Sequence, residues 1–196
     1  MKTKTKALTL ALCAVLLVVT TVFVTMAFLT DTDKVTNTFT VGRVDISLDE
    51  APVDEYGDVV QGKRVQANKY KLIPGHEYAK DPTIHVEEGS EDCWLFVKVQ
   101  NGLLNAEAAD DNIDSQMAER GWTLVSGTTD IYSYKETVSA KENVVVFERF
   151  TIGGTVDVAD YEDAEIVITA YAIQADGFNT AADAWTYAGD EAQATN

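Results

Sequence analysis

The chain has 196 residues, 15 basic against 32 acidic, and a formal net charge of −17. So large an excess of negative charge repels nucleic acid and anionic lipid, which excludes partners gripped through their phosphates. Two cysteines, Cys13 and Cys93, and two histidines, His76 and His85, leave little material for disulfides or imidazole chemistry.

Residues 1–27 read as a cleavable secretory signal. Lys2, Lys4 and Lys6 precede an uncharged apolar run over 7–26, and Thr25 and Ala27 sit at the small-residue spacing a signal peptidase accepts. The expected cut falls between Ala27 and Phe28. It removes three of the 15 basic residues and none of the 32 acidic ones, so the remaining 169 residues carry 12 against 32, a formal charge of −20. Leu12 stands before Cys13 where a lipoprotein signal wants a small residue, which argues against lipidation. The run 7–29 is about long enough to cross a bilayer, so retention as an uncleaved anchor is the alternative. The polar, acidic stretch 180–196 offers neither a second anchor nor a sortase-like motif. With Cys13 removed, Cys93 has no internal partner. Beside Trp94 in an apolar strand, it reads as a small buried hydrophobe.

Beyond the cut lies a polar arm, 28–37, attached to the first strand. Phe28, Leu29, Val35 and Phe39 are its anchoring positions, although Asp31, Asp33 and Lys34 weaken it as a strand. Phe39, Val41, Val44, Ile46 and Leu48 alternate around a break at Gly42, as in a half-buried strand with a bulge. Residues 49–69 form a charged excursion, read as a loose hairpin with Val59 and Val60 on one arm and Val65 on the other. Pro74-Gly75 marks a type II turn, because proline fixes the first central angle and glycine accepts the positive second one. Residues 83–86 form a short strand, and 87–92 an acidic turn around Gly89.

The stretch 93–100 is the clearest core strand. Cys93, Leu95, Val97 and Val99 alternate with Trp94, Phe96 and Lys98, so one face is wholly apolar and the other half so. Over 103–120 the chain turns Ala-rich and acidic. Leu104 with Ala108, and Ile113 with Met117, are spaced four apart and predict a short surface helix closed by Gly121. Strand patterns return at 122–125, 131–135 and 144–152. The stretch 164–174 is apolar on both faces and predicts a central strand covered on both sides. Asn179 can cap a last short helix with Ala181, Trp185 and Ala188 on one side. Short strands, turn dipeptides and little helix together predict an all-β fold, an antiparallel β-sandwich with one or two short surface helices, in a single domain over 28–196.

Catalytic patterns are sparse. A zincin helix needs two histidines four apart with a glutamate between them, so that both rings share a face and the carboxylate activates the metal-bound water. Here His76-Glu77 follows Pro74-Gly75, and His85 is nine residues on, beyond Pro82; only a non-helical zinc site of His76, Glu77, His85 and one more carboxylate is open to the chain. No Gly-x-Ser-x-Gly elbow exists, so Ser90 reads as a turn residue, and Gly153-Gly154 lacks the lysine of a phosphate loop. Asp110, Asp111 and Asp114, and Asp157, Asp160, Glu162 and Asp163, are acidic enough to gather calcium. They lack the pattern of a calcium loop and read as solvated charge. No catalytic residue and no resident cofactor is therefore expected.

Phe28-Leu-Thr-Asp, Asn37-Thr-Phe-Thr-Val-Gly and Val44-Asp-Ile-Ser-Leu, followed in order by Leu72-Ile-Pro-Gly, Lys80-Asp-Pro-Thr-Ile, Gly89-Ser-Glu-Asp-Cys-Trp-Leu-Phe-Val-Lys-Val and Thr169-Ala-Tyr-Ala-Ile-Gln-Ala-Asp-Gly-Phe, resemble the TasA/camelysin family of exported Gram-positive proteins. The resemblance spans nearly the whole chain after the signal. It implies a jelly-roll sandwich, a dedicated signal peptidase, and a secreted or cell-surface protein that polymerises with itself into biofilm matrix fibres, with or without an accessory subunit. The arm 28–39 would then add as a strand to the open edge of the next copy. Two alternatives belong to other classes: a camelysin-like cell-surface metallopeptidase, and a non-polymerising adhesin binding through loops such as 49–69.

Overall fold

The computed structural model describes residues 43–193, and side chains as far as 187. The predicted signal, its cut at Ala27 and Phe28, and the arm positions Leu29, Val35 and Phe39 lie outside the described residues. In chain order the strands are β1 (Ile46–Asp49), β2 (Glu77–Ala79), β3 (Thr83–Val86), β4 (Cys93–Asn101), β5 (Trp122–Leu124), β6 (Ile131–Tyr134), β7 (Asn143–Val145), β8 (Arg149–Thr151) and β9 (Ile166–Gln174). Helix α1 (Ile113–Glu119) lies between β4 and β5, and helix α2 (Ala181–Gln193) follows β9. The strands make three antiparallel sheets, ordered β1-β3-β7, β2-β8 and β5-β6-β4-β9. The all-β reading is thus met. No helix among the described residues is long and apolar enough to cross a membrane.

β4 organises the core because both of its faces are apolar and both are covered. Cys93, Leu95, Val97 and Val99 face a core shared with Ile84, Val86, Val144, Val146 and Phe147. On the other face Phe96 packs under α2 against Ala184 and Trp185, its ring 4.9 Å from the Trp185 ring. In the two-stranded sheet Tyr78 lies opposite Phe150, with the rings stacked at 4.9 Å, and Tyr70 meets both edge-on. The buried Tyr78 hydroxyl donates to Lys71 O at 2.7 Å and accepts from Ile73 N at 2.6 Å, which satisfies it. Gly57, at φ +84°, sits so close that a Cβ there would fall 2.7 Å from Tyr78 Cδ1.

Several expectations hold residue for residue. Val44, Ile46 and Leu48 face the core while Asp45 and Ser47 face out. His76 N donates to Ile73 O at 3.2 Å across Pro74-Gly75, and Gly75 has φ +76°, as a type II turn requires. Other expectations are corrected. Over 103–120 only Ile113–Glu119 is helical, capped by Asn112, whose side chain accepts from Ser115 N. Leu104 is 57 % exposed in a turn, and Ile113 and Met117 are fully buried rather than on a surface stripe. The stretch 144–152 holds two strands of different sheets, with Val146 and Phe147 filling the core where the chain crosses between them. In the 49–69 excursion Val59 pairs with Val53, and Val65 with Glu50, so the 50–53 segment is the partner of both arms. Thr180, not Asn179, caps α2: its hydroxyl accepts from Asp183 N at 3.1 Å and donates to the Asp183 carboxylate at 2.8 Å.

The largest correction concerns β9. Predicted as a central strand covered on both sides, it is the edge of the four-stranded sheet, and its residues are only half-buried. Its single partner among the described residues is β4, in a nine-pair register from Cys93 opposite Gln174 to Asn101 opposite Ile166.

Candidate functional site

The two larger sheets each end in a strand paired on one side only among the described residues, and these two strands, β1 and β9, lie next to each other. The register places Ile166, Ile168, Ala170 and Ala172 on the same face as Val99, Val97 and Leu95, toward the core, and Val167 and Thr169 outward. From β1, Ile46 and Leu48 point the same way. All six inward residues stay part-exposed, although the counterparts of five of them on β4 and β3, Leu95, Val97, Val99, Ile84 and Val86, are buried; Ile166 faces the part-exposed Asn101. The margin is therefore an apolar seam flanked by two rows of backbone N–H and C=O groups, one on each edge strand. Such an arrangement is a template for an added strand. Glu91 N donates to Arg43 O at 3.0 Å, and one residue further Asp92 O accepts from Ala175, just past β9, at 2.7 Å.

The outer face of the β1-β3-β7 sheet carries a polar row. Ser47, His85 and Asn143 stand directly opposite one another, at the floor of a shallow groove bounded by Asp49, Glu87, Glu88 and Lys141. His85 Nδ1 lies 2.8 Å from Asn143 Oδ1, and Nε2 lies 2.8 Å from Asp49 Oδ1. Arg64 reaches in from the excursion, bonding Asp49 through Nε at 2.5 Å, Asp81 at 2.8 Å and Thr83 Oγ1 at 2.9 Å. Burial works to raise the Asp49 carboxyl, but the hydrogen bonds from Arg64 and His85 outweigh it and hold the group below its usual range. Serine, histidine and aspartate come together here without forming a nucleophilic triad. Both ring nitrogens face oxygens other than Ser47 Oγ, which donates to Glu87 at 2.6 Å.

The three residues of the possible zinc site are not brought together. His76 Nε2 donates to Tyr56 O at 2.8 Å on the Pro-Gly turn. Glu77 lies in β2 and faces Arg149 at 3.3 Å, while His85 is held on a different sheet. No group of three histidine, cysteine or carboxylate side chains placed to hold a metal ion occurs among the described residues. Of the acidic clusters, Asp111 is gripped by Arg149 through two bonds of 2.8 and 2.9 Å, Asp114 accepts from the Tyr132 hydroxyl, and Asp157 caps a 3-10 turn over residues 158–161. Cys93 is a fully buried free thiol, pushed up to about 11 by burial and then by the nearby Asp92 charge.

Two features escaped the sequence reading. One is the margin itself, since an apolar strand with both faces covered and one at a sheet edge share the same periodicity. The other is a cluster of the buried Glu50 with the part-buried Asn68 and Lys80, two of its members lying in a stretch whose charge marks it as solvated. Compared with protein-family models, with curated proteins and with solved structures, the chain matches none.

Proposed function

We propose that this chain is an exported structural protein of the TasA/camelysin type, a jelly-roll sandwich that polymerises head to tail into extracellular fibres. The observation that carries the reading is the half-exposed apolar seam between β1 and β9, two strands that are each paired on one side only among the described residues. A strand from the next copy would bury the seam and pair its backbone. The sequence supplies a donor in the 28–39 stretch, where Phe28, Leu29, Val35 and Phe39 provide apolar anchors. No catalytic constellation among the described residues competes with this reading. In the polar groove both ring nitrogens of His85 are engaged by Asn143 and Asp49 and neither faces Ser47.

The test compares protein beginning at Phe28 with a form lacking 28–37, by light scattering and negative-stain microscopy at low and high salt. A charge of −20 per subunit opposes packing, and salt screens it, so the longer protein should form fibres that increase with ionic strength while the shorter one stays a folded monomer. Equal polymerisation of both refutes strand donation by the arm. Polymerisation of neither overturns the fibre reading in favour of an adhesin.

A further inference from the structure

Glu50 follows β1 directly and is 4 % exposed, although it is charged. Its backbone is fixed by a two-way bridge to Val65, both bonds 2.8 Å long. Its carboxylate joins two other side chains. Oε2 meets Lys80 Nζ at 2.5 Å, and Oε1 accepts from Asn68 Nδ2 at 2.8 Å. The Lys80 side chain is 10 % exposed, and its backbone N donates to Glu148 O at 3.0 Å, so the stem is held as firmly as the tip. Asn68 is oriented from both ends: Nδ2 also donates to Ala51 O at 2.8 Å, and Oδ1 accepts from Val53 N at 3.1 Å. The ion pair is largely shielded from water, while Asn68 is part-buried. The neighbouring Tyr70 phenol is pushed well above its ordinary range, by burial first and then by the Glu50 charge.

A buried ammonium–carboxylate pair loses much of its hydration, and side chains of similar bulk without charge serve stability as well or better. Here the pair has a third member with specific chemistry. A primary amine is a nucleophile once it gives up a proton, a carboxylate bonded to it is the base that takes that proton, and a carboxamide is an electrophile whose reactivity rises when its oxygen is bonded. Glu50 touches the amine and the leaving nitrogen at once, and Val53 N–H sits on the oxygen where negative charge would develop.

We propose that Lys80 and Asn68 join autocatalytically in an intramolecular isopeptide bond, with Glu50 as the proton carrier. The Lys80 ammonium passes a proton to Glu50, and the neutral Nζ attacks Asn68 Cγ. The new C–N bond forms as the carbonyl electrons move onto Oδ1, held by Val53 N–H. Glu50 returns its proton to Nδ2, the old Cγ–N bond breaks, and ammonia leaves with the second proton lost by Nζ. The net change is an ammonium and a carboxamide becoming a secondary amide and an ammonium ion, with no oxidant or other reactant. The bond would fasten the charged excursion to the end of β2. That is a covalent staple in a fold where Cys93, the cysteine among the described residues, is a buried free thiol.

Intact-mass spectrometry of the purified full chain tests the proposal. The expected mass is lighter than the sequence mass by one ammonia, and proteolysis should release a branched peptide joining Asn68 to Lys80. Lys80→Arg keeps a cation on Glu50 and removes the nucleophile, while Glu50→Gln keeps the shape and removes the proton carrier; both should appear at their full sequence mass. The proposal is overturned if the parent has its sequence mass with Lys80 in a linear peptide. It is equally overturned if the loss of ammonia persists in Lys80→Arg.

Discussion

Replacing Ile168 by lysine separates folding from strand addition, because the same side chain is half-exposed in the monomer and would be enclosed in a fibre. Ile168 lies on β9 opposite the buried Val99 and points into the seam. Full burial of an isoleucine is worth about 1.5–3 kcal/mol, and only part of that is realised here. A lysine stem retains some of the contact while its ammonium reaches water through the open margin, so folding should weaken by about 1–2 kcal/mol. A strand laid across the margin closes that exit. Leaving a buried charge unpartnered costs about 3 kcal/mol or more, and about 1.4 kcal/mol is tenfold in affinity, so the critical concentration should rise by about 100-fold or more. Net charge works in the opposite direction, since one added cation lessens the repulsion between subunits. The assay is pelleting over a concentration series, with circular dichroism to verify the fold and Ile168→Val as a control that should assemble like the parent. A folded Ile168→Lys protein that polymerises at the parent's critical concentration would refute the placement of the seam.

Three other outcomes follow from the geometry. Gln116 Oε1 accepts from Glu148 N and Arg149 N while its Nε2 donates to Arg149 O, so Gln116→Leu should lower unfolding stability by about 2–4 kcal/mol in urea titrations through the unpaired backbone groups it leaves. The Asp111 carboxyl is held below its ordinary value of 3.8, chiefly by the hydrogen bond from Arg149 against the opposing effect of burial. A depressed acid stabilises above its unfolded value and loses that contribution as pH falls through the folded one. Asp111→Asn should therefore cost about 1 kcal/mol at neutral pH, screened because Arg149 is partly exposed, and the difference from the parent should shrink below pH 3.8. The Cys93 thiol, buried and raised to about 11, should ignore a water-soluble disulfide reagent at pH 8 in the folded protein and react fully in denaturant.

What was legible in the sequence was whatever has a period or a fixed turn chemistry. β4 could be read because alternation persists on both faces, β3 because Pro82 and the acidic turn bound it, and the 73–76 turn because Pro74 and Gly75 each supply a required angle. Lateral position leaves no such trace. β9 is apolar on both faces because one faces the core and the other meets α2 through Tyr171 and Ile173, and nothing along the strand tells that it is paired on one side only among the described residues. The crossing at 146–148 was read as strand because Val146 and Phe147 continue the apolar run through the core with no glycine or proline to mark the bend. Leu104 and Ala108 share a helical spacing by accident: Asn101 Oδ1 accepts from Leu103 N and starts a turn through Leu104, and the helix begins only at Ile113. The Glu50, Asn68 and Lys80 cluster was invisible for a different reason. Its members are polar, distant in sequence, and brought together only because the excursion folds back beside β1 and β2.

The central claim, that the β1/β9 margin receives a strand from residues 28–39, is tested most directly by adding a synthetic 28–39 peptide to protein lacking that segment and following amide hydrogen exchange. The account predicts slowed exchange confined to the β1 and β9 edges, with the β5 edge of the same sheet unchanged and the effect weakened in Ile168→Lys. Exchange at 46–49 and 166–174 that is unaltered by saturating peptide would contradict it.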